Sequence, residues 1–210
     1  MTSLSDNLVL LTPEFALAGL AFLVFAADLL LPEGRKVYLA WLSMAGLIAL
    51  MLVSILMLWD EQESLYDGLL AVDDFSLFFK ILFMGIGVFI VLSSMDFVDK
   101  KLKHQGEFYG LLLFSILGMN VMAQSRELLT AYIALELLSF SLYVMAAYAK
   151  DSAKSNEGAL KYIIVGAVSS AILLYGVSMV YGTIGVTKFD DIAVALSSAS
   201  EVSPALWFWV

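Results

Sequence analysis

The 210-residue chain contains no cysteine, one histidine and three prolines. Without cysteine it can form no disulfide, hold no zinc through thiolates and ligate no iron–sulfur cluster, so any redox chemistry lies elsewhere. The one histidine, His104, stands in a Lys-rich loop and reads as a solvated side chain. Charge is also sparse, at 15% of residues. A net charge of −9, with no basic patch interleaved with aromatics, speaks against nucleic acid binding. No G-x-G-x-x-G follows a strand, so the chain has no motif for binding NADH or flavin. The opening MTSLSDN lacks the positive region and small-residue cleavage site of a signal peptide, so the first apolar run is expected to be retained as a span.

What the chain does have is apolar surface. It is 61% hydrophobic with a mean hydropathy of +0.92, 14 phenylalanines and 4 tryptophans, the composition of an integral membrane protein. The predicted fold is all-α, a polytopic bundle of six complete spans and the start of a seventh. The spans fall at about 8–31, 37–59, 75–94, 108–123, 127–149 and 159–181. Tyr38, Trp41 and Trp59 are placed as interfacial anchors of the second span. Glu14 and Asp28 lie near the ends of the first span, where hydration would make them structural. Lys80, little more than one turn inside the third, is close enough to the interface to snorkel. The acidic segment 60–74 carries six acids and no base, and reads as a loop. Beyond Tyr181, Phe189, Ile192 and Leu196 recur at helical spacing and predict an amphipathic surface helix over about 187–200. ALWFWV, 205–210, looks like the entrance to a seventh span, so these 210 residues are expected to be the front part of a longer protein.

The fifth span holds an acid, Glu136, near its middle. A carboxylate at that depth costs several kcal/mol unless it is neutral, paired or wet. Tyr132, Glu136, Ser139 and Tyr143 stand at i−4, i, i+3 and i+7, which places four polar groups on one helix face as a candidate hydrophilic track. The bland alternative is a protonated acid that hydrogen-bonds a neighbouring helix as structural glue. In the sixth span Gly166 and Ser170, four apart, form a small-xxx-small pattern that lets another helix approach closely.

Loop charge sets the expected orientation. Arg35, Lys36, Lys100, Lys101, Lys103, Lys150 and Lys154 fall on one side of the membrane, and Arg126 and Lys188 on the other. The lysine-rich side is predicted to be cytoplasmic and the N-terminus periplasmic. Lys161 then lies about 5 Å from the inner end of the sixth span and Glu136 roughly 20 Å from the inner end of the fifth. A direct salt bridge between them is not expected. Lys161 reads equally as a relay member or as a snorkelling interfacial lysine.

The runs RELLTAYIALELLSFSLYVMAAY, 126–148, and EGALKYIIVGAVSSAILLYGVSMVYGTIG, 157–185, together with DDFSLFFKILF in the third span, resemble the subunit N family of bacterial NADH:quinone oxidoreductase, respiratory complex I. The resemblance extends over essentially the whole chain. It implies a proton-translocating membrane subunit in the bacterial inner membrane, partnered by other membrane subunits of the complex. No cofactor is implied on this chain; FMN and iron–sulfur clusters are expected in other subunits. Carried over by motif, the fifth-span acid is Glu136 and the sixth-span lysine of LKY is Lys161, both in a proton relay. The family's later-span lysines would fall past Val210. The implied mechanism is electrostatic gating: Glu136 stays an anion beside a cationic lysine and takes up a proton when that cation withdraws. A cation/proton antiporter or membrane-bound hydrogenase subunit, and a purely structural spacer, are the other classes considered.

Overall fold

The computed structural model describes residues 4–198 except 33, 34, 103, 150 and 151. A short helix, α1 (Leu4–Leu10), leads almost directly into α2 (Thr12–Leu30), with Pro13 in the first turn, where its missing N–H costs nothing. Then follow α3 (Val37–Leu58), α4 (Asp74–Lys101), α5 (Gln105–Gln124), α6 (Leu128–Ala146), α7 (Ala153–Ile184) and a short α8 (Phe189–Ser198). The six helices from α2 to α7 are long and apolar enough to cross a membrane, which makes this a multi-pass membrane protein. The seventh run, 205–210, lies outside the described residues, as do Lys103 and Lys150 of the orientation count.

Three helices are longer than predicted, α5 by a few residues and α4 and α7 by more. The third span continues through Met95 to Lys101, where a loop is expected from the polar residues, and α7 begins at Ala153 rather than near 159. Polarity marks where the hydrocarbon ends, whereas a helix ends only where its backbone is capped. Ser152 caps α7 by accepting from the Ser155 N–H at 3.3 Å, and Asp73 and Ser76 form a reciprocal capping box that starts α4. At its far end α7 stops at Gly185, whose φ of 81° is the left-handed conformation glycine adopts freely.

The acidic loop is also more ordered than expected. β1 (Glu63–Leu65) pairs antiparallel with β2 (Leu70–Val72), with Ser64 opposite Ala71. Tyr66, Asp67 and Gly68 turn the chain between them with positive φ, and the Asp-Gly pair is the readable signal for such a turn. The hairpin is tied to the bundle. Arg126 N–H donates to the Leu69 carbonyl at 2.9 Å, Leu70 bridges Ser125, and the Arg126 guanidinium pairs with Asp73. Lys188 reaches the Asp67 carbonyl from the α7–α8 linker.

Helix α5 is central, packed against α2, α3, α4 and α6, while α7 leans on α6. Leu17, Val24, Leu47, Met84, Val91, Leu113 and Ile116 form the main core. A second apolar cluster, Leu11, Leu58, Leu65, Val72 and Leu77, lies under the hairpin. Side chains such as Leu29 at 87% and Leu56 at 83% exposed point outward, which is unfavourable in water and expected in lipid. Lipid is as apolar as leucine, so helix association rests on close packing rather than on hydrophobic burial, and small residues decide where helices touch.

At the hairpin end, Glu127 accepts hydrogen bonds from Thr130 at 2.6 Å and from Thr187 at 2.7 Å, fastening the start of α6 to the α7–α8 linker. The Thr130 hydroxyl, then Thr187 and the nearby Lys188 charge, hold the Glu127 carboxyl below its ordinary value. A depressed carboxyl contributes stability above its unfolded value and loses it as pH falls through the folded one. Amide exchange at Leu128 and Phe189, corrected for intrinsic rate, should therefore hold steady from neutral pH down to the ordinary carboxylate range and accelerate only below it. Acceleration already near neutrality would contradict this.

Candidate functional site

Glu136 lies eight residues past the start of α6, about 12 Å into the bundle. Its neighbour is Ser170 on α7, whose hydroxyl donates to Glu136 Oε1. The Tyr132 hydroxyl lies 3.0 Å from the same Ser170 oxygen, and since Ser170 donates to the acid, Tyr132 must donate to Ser170. Three exchangeable groups thus form an unbroken chain from Tyr132 through Ser170 to Glu136. The helix face read from the sequence is real at Tyr132, Glu136 and Tyr143; Ser139 is half-buried and does not join the chain.

The small-residue pattern on α7 has the role its spacing predicts. A Cβ on Gly166 would sit 2.0 Å from the Tyr143 hydroxyl oxygen, so only glycine admits that ring. Tyr143 then stacks edge-on against Tyr162 at 4.9 Å. Ser170, one turn on, faces the acid.

Lys161 is not brought to Glu136. It lies nine residues before Ser170 on α7, about 14 Å along the axis, and pairs with Glu157 one turn away at 2.6 Å. Both side chains of that pair are mostly exposed, at 73% and 66%. In the longer α7 it stands eight residues from the helix start, about 12 Å rather than the predicted 5 Å. The expectation that the two do not form a salt bridge agrees with this geometry.

The largest departure concerns the acids near the ends of α2 and Lys80. Glu14 and Asp28 are buried rather than exposed at the span ends, and Lys80 does not snorkel. Lys80 is fully buried, with its Nζ 2.6 Å from Glu14 Oε1, and Gln124 Nε2 donates to the same oxygen at 2.6 Å. Asp28 pairs with Lys36 at 3.4 Å, both buried. The alternation of antiparallel helices puts residues 14, 80 and 124 near the hairpin end, so their common depth is readable from the sequence. Their pairing is not, because it depends on which helices are neighbours. At the opposite end, the Tyr148 hydroxyl donates to the His104 carbonyl and lies 3.0 Å from Glu107, and burial pushes that phenol well above its ordinary value.

Comparison with known proteins gives the following. Residues 125–208 match the family described as NADH:quinone oxidoreductase/Mrp antiporter, TM, a stretch that contains both Glu136 and Lys161. The chain is 38% identical over 200 residues to NADH-quinone oxidoreductase subunit N of Moorella thermoacetica, covering 95% of this chain and 41% of the relative. It is 35% identical over 197 residues to subunit N of Trichlorobacter lovleyi, covering 94% and 40%. Among solved structures it superposes on a chain of respiratory complex I from Thermus thermophilus with a TM-score of 0.68 at 28% identity, covering 89% of this chain and 42% of that one. The Mrp complex from Dietzia gives a TM-score of 0.68 at 20% identity, a likeness of fold alone. The matched stretch is thus of the class described for NADH:quinone oxidoreductases and Mrp antiporters. Within that class the chain is similar, at 35–38% identity, to NADH-quinone oxidoreductase subunit N. It spans about two-fifths of the length of these curated relatives.

Proposed function

We propose that this chain is part of a membrane subunit of NADH:quinone oxidoreductase that moves protons across a bacterial inner membrane, driven by electron transfer from NADH to quinone in other subunits. The observation that carries the reading is Glu136, held at mid-depth between two helices by a Ser170 hydroxyl that is itself fed by Tyr132. A mere spacer has no need for a carboxyl with a hydroxyl chain at that depth. In this reading Glu136 holds and releases the proton and Ser170 and Tyr132 hand it along the α6–α7 seam. Lys161, about 14 Å further along α7, communicates with Glu136 through intervening groups and its own charge rather than by contact. In this reading flavin and iron–sulfur chemistry is supplied by other subunits; this sequence offers no thiolate to hold a cluster. The antiporter alternative shares the fold, but the identity to subunit N, at 35–38%, exceeds the 20% to the Mrp structure.

The test is Glu136→Gln in the full-length protein within its assembled complex. NADH oxidation by an artificial acceptor should be nearly unchanged. Coupled proton translocation should fall by on the order of tenfold or more, since a positioned proton carrier contributes ~10²–10⁴-fold to a transfer step. Full translocation in that variant would reject the assignment.

A further inference from the structure

We propose that Glu14, Lys80, Gln124 and Asn120 form a second proton-exchange site, water-filled and separate from Glu136, where α2, α4 and α5 meet. All four side chains are more than nine-tenths buried. One carboxylate oxygen, Glu14 Oε1, takes both the Lys80 ammonium and the Gln124 amide, each at 2.6 Å. Glu14 Oε2, Gln124 Oε1 and both amide atoms of Asn120 have no hydrogen-bond partner among the described residues. Asn120 lies one turn before Gln124 on α5, on the same face and about 6 Å deeper.

Buried polar atoms left unmatched are strongly unfavourable, and a group of them on neighbouring positions is how a structure marks an internal water site. The mixture of free donors and acceptors selects the occupant. A metal cation would meet the Lys80 ammonium and an anion the Glu14 carboxylate, whereas water can donate to Glu14 Oε2 and Gln124 Oε1 and accept from the Asn120 amide. Toward the hairpin end the site is closed. Leu11 and Leu77 stand three residues before Glu14 and Lys80, in the apolar cluster under the hairpin, and Ser125 next to Gln124 bridges Leu70. The water therefore runs inward past Asn120. When it delivers a proton to Glu14 Oε2 the carboxylate becomes a neutral acid and the Lys80 ammonium carries the site's positive charge. Returning the proton to water restores the pair.

The activity arm of the test rests on the proton-translocation reading; the structural arm does not. In the full-length protein within its complex, electron cryomicroscopy fine enough to show water on buried backbone carbonyls should show ordered water within hydrogen-bond distance of Glu14 Oε2 and the Asn120 amide. Asn120→Leu should remove it and lower coupled proton translocation several-fold, with NADH oxidation by an artificial acceptor unchanged. Where Asn120→Leu does not assemble, Gln124→Met is read the same way. A dry site, or unchanged translocation in the assembled variant, overturns the inference. Loss in Glu136→Gln with none in Asn120→Leu overturns this site alone; no loss in Glu136→Gln overturns the primary reading.

Discussion

Lys80→Met should destabilise the bundle by about 3–5 kcal/mol, the cost of leaving a buried charge without its partner. Methionine keeps the stem of the side chain, so little of the loss comes from a cavity. What disappears is the ammonium 2.6 Å from Glu14, leaving that carboxylate with the single Gln124 amide as donor. Neither side chain can swing out to bulk solvent, because both are less than a tenth exposed. Replacing both members, Glu14→Leu with Lys80→Met, should recover most of the loss, since an apolar pair of similar volume often matches a buried ion pair. Thermal unfolding of the full-length protein in detergent, comparing each single variant with the double, measures the coupling directly. Additive losses would mean that the two charges are not coupled and the pair contributes little.

The same pair shows what a sequence discloses of a membrane bundle. The spans, the polar face around Glu136 and the Gly166–Ser170 pattern follow from apolar length and helical spacing, both local properties of the chain. The partner of Glu14 is not local: residues 14, 80 and 124 meet only because α2, α4 and α5 are neighbours. An acid near a span end looks hydrated until the adjoining helices and hairpin close over it. Helix ends fail for another reason. In α4 and α7 the backbone keeps its hydrogen-bond ladder past the apolar stretch, and a capping serine such as Ser152 is weak evidence beside a run of charges. The hairpin, by contrast, was within reach, since Asp67-Gly68 sits between two apolar stretches as turn chemistry requires.

Gly118→Leu should be the most disruptive single change at a helix seam. A Cβ there would stand 2.7 Å from the Leu138 backbone nitrogen and 2.8 Å from the Ala134 carbonyl oxygen. Both are backbone atoms of α6, so no rotamer change relieves the contact and the two helices must move apart. Even Gly118→Ala should cost about 1–3 kcal/mol, the usual range for overpacking, and leucine more. Gly85→Ala is the control: its Cβ would meet nothing within 4 Å, so the higher helix propensity of alanine should leave stability unchanged or raised by about 0.5–1 kcal/mol. The consequence reaches the acid, because α6 carries Glu136 two residues from each of the positions that touch Gly118. Pushing α6 off α5 shifts Glu136 against Ser170, so proton translocation in Gly118→Ala should fall along with the unfolding temperature, while Gly85→Ala keeps both. If Gly118→Ala unfolds at the wild-type temperature, close packing at this seam is not what seats α6, and the placement of Glu136 must come from α7 alone.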